Sequence, residues 1–305
     1  MLKLQKPFSS LLVGLGFFLC SFAFAQSPDS LSTLPQSDTT KSPTNAKRNW
    51  LIGGSSVVLF GGTGYFLKNA WWAEQSVPFH FDDGADLRYA LNLDKVAHAL
   101  GGNFVSDLYT RAFIGTGMPA KKAALWGLGM GVLGQVAIET KDGFAPRWGF
   151  SPYDLLAGTA GSIYNLGKYH SKFLANTEFK MGYWQRSDKY FSVANKRPKP
   201  FSIDDYLNQT YWFTVYPKNL LTGKAQQNFP AWLGISIGDG IEANSWDGLG
   251  GGQHELYIAP DVSLERLFKP KRKFFKQVLH FSTYIKIPMP TLQVYPQTKF
   301  WWFFL

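Results

Sequence analysis

Ionisable side chains recur at helical spacing inside an apolar, glycine-rich stretch between residues 79 and 161, and they constrain this chain more than any other feature. The run opens Phe79-His80-Phe81-Asp82-Asp83 and continues Asp94-Lys95-x-x-His98. It ends Glu139-x-x-Asp142-Gly143-x-x-x-x-Trp148-Gly149-Phe150-Ser151-x-x-Asp154. A charge inside an apolar helix is costly, so each of these groups needs a partner on a neighbouring element. Such a stretch therefore predicts helices packed face to face.

Four helices are expected. The first covers residues 50–67, whose Gly53, Gly54, Gly61, Gly62 and Gly64 permit close packing. The second runs from about Asp94 to Phe113. The third runs from Pro119 to about Thr140, with Ala124, Gly127, Gly131 and Gly134 at helical spacing. Ser151-Pro152-Tyr153-Asp154 opens the fourth, with Ser at the N-cap and Pro at N1, and it continues to about His170. Asp107 and Arg111 make the second helix a poor lone span, and the loops show no Lys/Arg bias. A membrane-type bundle, buried in or against a bilayer, is the expected form.

After residue 176 the period changes. Tyr211–Tyr216, Trp232–Gly238, Glu255–Leu264 and Leu279–Val294 are rich in aromatic and β-branched residues, and Trp232–Gly238 alternates large with small. Pro288 and Pro290 confine the last of these to an edge or a bulge. The chain closes on the aromatic run Phe300–Leu305. A small membrane barrel needs about eight strands, and only about six can be found here. The expected class is α+β: a four-helix bundle followed by a twisted antiparallel sheet packed on it. The organisation reads as a signal peptide at 1–25, a flexible tether at 26–49, a helical domain at 50–175 and a β-rich domain at 176–305.

Lys3 and Lys6, the apolar run Leu11–Phe24 and the Ala23-Phe24-Ala25 cleavage pattern predict export, to the periplasm or a membrane-associated envelope site. The single cysteine, Cys20, lies inside the apolar run, so the mature chain offers no disulfide or thiolate. Loss of two lysines takes the formal charge from +10 to +8. Outside the cytoplasm the natural anionic partner is an envelope lipid rather than nucleic acid. A protein partner stays open. Lys269, Lys271, Arg272, Lys273 and Lys276, interleaved with Phe268, Phe274 and Phe275, read as a solvated loop between strands or as a membrane-surface contact.

The candidate site is Asp94, Lys95, His98, Glu139, Arg147 and Asp154. Asp94 and His98 share a helix face, and a carboxylate beside an imidazole suits base catalysis or metal binding. Glu139 sits near a helix C-terminus, where the dipole disfavours a carboxylate, so it needs a cation from Arg147, Lys95 or His98. Each residue also has a structural explanation. Asp94 and Asp154 can be caps, Glu139 half of a buried ion pair, and Asp107 with Arg111 an intrahelical pair. His80, Asp82 and Asp83 are extra ligands or ordinary turn chemistry. Zinc on His98, Glu139 and Asp154 fits the ligand types but has no short-spacing motif behind it. The residues leave cofactor and metal open.

These motifs resemble the YfiM-like family of predicted periplasmic proteins. The likeness continues through Asp205-Tyr206-x-Asn208-Gln209-Thr210-Tyr211-Trp212, Pro230-Ala231-Trp232-Leu233 and Ile285-Lys286-Ile287-Pro288-x-Pro290, and so covers most of the mature chain. The helical half is also similar to VanZ-type membrane proteins, through Asp94, Lys95, His98, Gln135 with Glu139, Arg147, Asp154 and Gly161. Gly158 stands where that family has asparagine. The resemblance implies an envelope role and no defined activity. Two functions are expected from the residues: a structural or interaction protein at a membrane surface, or an envelope enzyme acting on a lipid-linked or cell-wall substrate.

Overall fold

The computed structural model describes residues 75–193, 203–243 and 251–305, together with Ile52, Gly61, Gly62, Gly64 and Trp72. The signal sequence, the tether and most of the first expected helix lie outside the described residues. Three long helices follow: α1 (Leu93–Gly115), α2 (Ala120–Asp142) and α3 (Pro152–Lys168). Glycine fixes their spacing. A Cβ added at Gly161 would lie 1.7 Å from the Ala99 carbonyl oxygen, and one at Gly102 would lie 1.9 Å from that of Gly158. The backbones of α1 and α3 therefore touch where these glycines meet. Ser151 caps α3 as expected, its hydroxyl accepting from the Asp154 backbone N–H.

Among the described residues no helix is long and apolar enough to cross a membrane. Lys121 and Lys122 begin α2, and Glu139, Lys141 and Asp142 end it. That leaves an uncharged stretch shorter than the ~20 residues a span needs. Among the described residues the bundle thus has three long helices, none of them able to span.

The C-terminal half is a six-stranded antiparallel sheet in sequence order. Its strands are β1 (Thr177–Tyr183), β2 (Gln209–Val215), β3 (Leu233–Ile241), β4 (His254–Val262), β5 (Met289–Tyr295) and β6 (Lys299–Phe304). The sheet curls, so that Thr210 Oγ1 of β2 donates to the Leu305 carbonyl just beyond β6. Register shifts between Met289 and Thr291, a bulge at Pro290. Yet β5 is an interior strand, and the aromatic C-terminus forms the edge.

Two expectations are corrected. The segment Leu279–Val294 is not one strand, and the basic run is not only loop: Lys273–Phe281 forms helix α4 before β5 begins. His280 is drawn inward by Asp107 of α1, with Nε2 and Oδ2 2.5 Å apart, and this long-range pair anchors the helix. One apolar cluster joins Ala90 and Leu93 to Tyr190, Phe191, Leu207, Tyr211 and Ile241, and so ties the start of α1 to the sheet. A second, Trp212, Tyr257, Ala259 and Phe304, lies inside the curl.

Candidate functional site

Five of the six expected residues converge on one cluster, and the sixth lines the same cavity. The chain enters α1 through a left-handed turn, with φ of 48°, 52° and 65° at Ala90, Leu91 and Asn92. For residues with a Cβ this conformation is strained. The turn delivers Asp94, Lys95 and His98 to the cluster. The last turns of α2 add Gln135 and Glu139, and the first turn of α3 adds Asp154.

Lys95 is the hub. Its ammonium lies 3.2 Å from Asp94 Oδ2 and 2.9 Å from Asp154 Oδ1, and it also pairs with the Asp86 carboxylate. Asp86 was not singled out in the sequence; four residues beyond Asp82, it had no motif to mark it. Ser151 joins the same network. Its backbone N–H donates to Glu139 Oε2 at 3.1 Å, and its hydroxyl donates to Asp86 at 2.5 Å. Tyr206, on the approach to β2, donates to Asp94.

His98 sits at the centre. Nδ1 is 3.0 Å from Gln135 Oε1 and 3.6 Å from Glu139 Oε1. A carbonyl oxygen only accepts, so Nδ1 is the protonated nitrogen in that contact. Nε2 then faces Asp94 Oδ1 and Asp154 Oδ2, each 3.9 Å away. Those gaps are too long for hydrogen bonds. Donor atoms of Asp94, His98 and Asp154 lie within 4.8 Å of one another. This trio, more than His98 with Glu139 and Asp154, is the set a divalent ion would use after a small contraction. The Lys95 ammonium already neutralises two of its members.

Protonation differs sharply across the cluster. Burial raises Glu139 to about 8 despite the opposing His98 imidazolium. Burial and the Asp94 charge raise Asp154 to about 7. Burial would also raise Asp94, but His98 and Lys95 outweigh it and hold Asp94 below its ordinary value. Burial would lower His98, but Asp94 and Asp154 overcome it and raise the imidazole. Glu139 is 1% exposed, and its Oε1 has no hydrogen-bond partner. Near neutral pH the cluster thus holds Glu139 protonated and Asp94 ionised, with Asp154 midway between the two states.

A cavity of about 720 Å³ opens beside these groups, walled by Asp86, Tyr89, His98, Glu139, Arg147 and Trp148 among others. Arg147 belongs to the wall; the cation facing Glu139 is His98. Asp142 also lines the cavity and is raised to about 6 by burial, against a hydrogen bond from Trp72. His80 and its neighbours serve the loop. His80 Nε2 meets the Trp148 carbonyl at 2.9 Å, Asp82 accepts from Gly84 N–H, and Asp83 accepts from Ala85 N–H. Gly158 faces the Gln135 side chain, whose Cδ would lie 2.3 Å from an added Cβ. Asparagine there would displace the residue that orients His98.

Asp107 and Arg111 pair within α1, with Nε and Oδ1 3.3 Å apart, away from the cavity. Their network is completed by His280, Glu265 and Tyr284. Those partners are more than 150 positions away in sequence, so sequence spacing could not reveal them. No known protein family, curated protein or solved structure matches the chain.

Proposed function

We propose that this chain is an exported cell-envelope protein whose His98 cluster is an acid–base centre acting on a lipid-linked or cell-wall substrate. One observation carries the proposal. Carboxyl groups with opposed protonation surround a single imidazole at the wall of a cavity large enough for a sugar or a headgroup. Pairs of titratable groups pushed apart in this way mark acid and base assignments. Glu139 is the proton donor, Asp154 a second donor, and His98 exchanges protons with both. Asp94 is the ionised partner, and Gln135 orients the ring. Lys95 is committed to three aspartates, and Arg147 on the cavity wall is a cation within reach of an anionic part of the substrate. The kinship to YfiM-like proteins, and in the helical half to VanZ-type proteins, belongs to this proposal and is consistent with it.

A second function is a structural or interaction role at a membrane surface. The observation favouring it is Lys95, which bridges Asp86, Asp94 and Asp154 and so links the loop, α1 and α3. The two are separated by incubating the protein in mixed micelles with a polyprenyl-diphosphate-linked disaccharide or a phospholipid and reading products by mass spectrometry. The enzyme reading expects conversion that falls by about 100-fold or more in Glu139→Gln and His98→Ala, with folding retained. No conversion by the parent protein, together with easier unfolding of both variants, refutes it in favour of the structural role.

A further inference from the structure

The sheet is built inside out. One outward row crosses five strands without a polar residue: Phe213 lies opposite Ile237, Ile237 opposite Ile258, Ile258 opposite Leu292, and Leu292 opposite Phe300. Ile237 is 63% exposed, and Trp302 on the edge strand is 73% exposed. The inward row beside it pairs Glu178 with Thr214 and Thr214 with Ser236, all buried. Lys180, inward on β1, contacts Glu178 and Asp261 at 2.9 and 2.8 Å, and Lys286 reaches Asp261 at 3.0 Å. A sheet meant for water buries the first set and exposes the second.

Among the described residues, helices cover only one end of this apolar face. Tyr164 of α3 meets the Phe213 ring, and Phe179, Met181 and Tyr211 pack into the cluster around Leu93. Among the described residues the face lies exposed across β3 to β6, at Ile235, Ile237, Ile258, Leu292, Phe300 and Trp302. The inversion extends to α4, where Gln277 and His280 are buried while Phe274 and Phe275 are exposed. It reaches the bundle too, where Leu125, Leu133, Leu156 and Ile163 face outward over buried Asn103, Gln135 and Asn165. One partner protein covers one patch. Apolar exteriors on α2, α3, α4 and the sheet, over ion pairs held inside, fit an apolar medium. Lys269, Lys271 and Arg272 are exposed beside Phe268, Phe274 and Phe275, the pairing expected where a protein meets anionic headgroups.

We infer that the outward face of β3 to β6 is a lipid-contacting surface seated in one leaflet of a membrane. On β3 the outward apolar residues are Leu233, Ile235 and Ile237, and on β4 they are Leu256, Ile258, Pro260 and Val262, which span about 13 and 20 Å of backbone at ~3.3 Å per residue. Both lengths are nearer the depth of one leaflet than the ~30 Å of a whole hydrocarbon core. This inference stands apart from the acid–base proposal, because the two rest on different residues.

The test uses the full chain carrying Cys20→Ser, with an environment-sensitive dye on Ile237→Cys or, as control, on Lys224→Cys, exposed on the short helix Gly223–Asn228 between β2 and β3. Vesicles of phosphatidylcholine with phosphatidylglycerol are added. The expected result is blue-shifted emission, with quenching by spin-labelled lipid, at 237 and not at 224. The effect should persist in about 1 M NaCl, where charge attraction is screened. Combining Ile235→Gln with Ile237→Gln, with dye on Leu292→Cys, should weaken the vesicle response by at least about tenfold. Near-UV circular dichroism checks that this variant is folded; if it is not, the salt-resistant contrast between 237 and 224 decides alone. Three results overturn the inference: a dye at 237 indifferent to vesicles, a response abolished by salt, or a dye at 237 buried by dimerisation in lipid-free buffer and unchanged by lipid.

Discussion

Replacing Glu139 with Gln should stabilise the protein, by an amount that grows with pH. In the fold this carboxyl titrates at about 8, against an ordinary value of 4.5. Between those values the folded state holds a proton that the unfolded chain has released. The group's contribution is therefore complete below about pH 4.5 and is lost as pH rises through about 8. Each tenfold change in proton affinity is worth about 1.36 kcal/mol. The wild type thus forfeits on the order of 3 kcal/mol by pH 7 and about 5 kcal/mol above pH 8. Glutamine keeps an oxygen for the Ser151 N–H and carries no charge to bury, so it avoids that loss. Urea unfolding followed by tryptophan emission, in nonionic detergent at pH 5, 7 and 9, should show the two proteins close at pH 5 and diverging upward. A variant less stable by about 3–5 kcal/mol at every pH would refute the reasoning. It would mean that Glu139 is ionised and paired with His98, so that the cluster is a structural lock.

Two further outcomes follow from packing and charge. Gly161→Ala would force a methyl into the Ala99 carbonyl and should cost about 3 kcal/mol or more; an unchanged unfolding midpoint would disprove the backbone contact between α1 and α3. Asp107→Asn strips the carboxylate that His280, Arg111 and Tyr284 share, with an expected loss of about 3–5 kcal/mol. Burial would raise Asp107, but His280 and Arg111 hold it far below its ordinary 3.8. Its contribution is therefore whole above that value and fades as pH falls below it. An acid-unfolding profile in which the variant tracks the wild type would overturn this.

The helical half was legible because its signals are local. The i, i+4 spacing of Asp94 and His98, the cap at Ser151 and the glycine periodicity of α2 each depend on a few neighbouring residues, and each is found in place. The cluster's completion was not local. Asp86 and Tyr206 carry no motif, and the left-handed turn at Ala90–Asn92 uses residues that ordinarily avoid that conformation. β1 was hidden because Glu178 and Lys180 point inward, so its alternation reads as polar when water is assumed to lie outside. The helix at Lys273–Phe281 was missed for the same reason: its Gln277 and His280 turn inward and its Phe274 and Phe275 outward. Three cations, Arg147, Lys95 and His98, were open as the partner of Glu139, and the fold brings His98 Nδ1 to 3.6 Å from it while Arg147 lines the cavity wall.

The glycine contacts between α1 and α3 have a consequence for descent. Distance between these helices is set by hydrogen atoms at 102 and 161, not by the side chains that face the cavity. Lineages can therefore trade one donor or acid for another at 94, 98, 139 or 154 without re-spacing the frame. At the glycines even a single methyl is closed to them. Over long divergence the frame should stay fixed while the groups it presents to the cavity change.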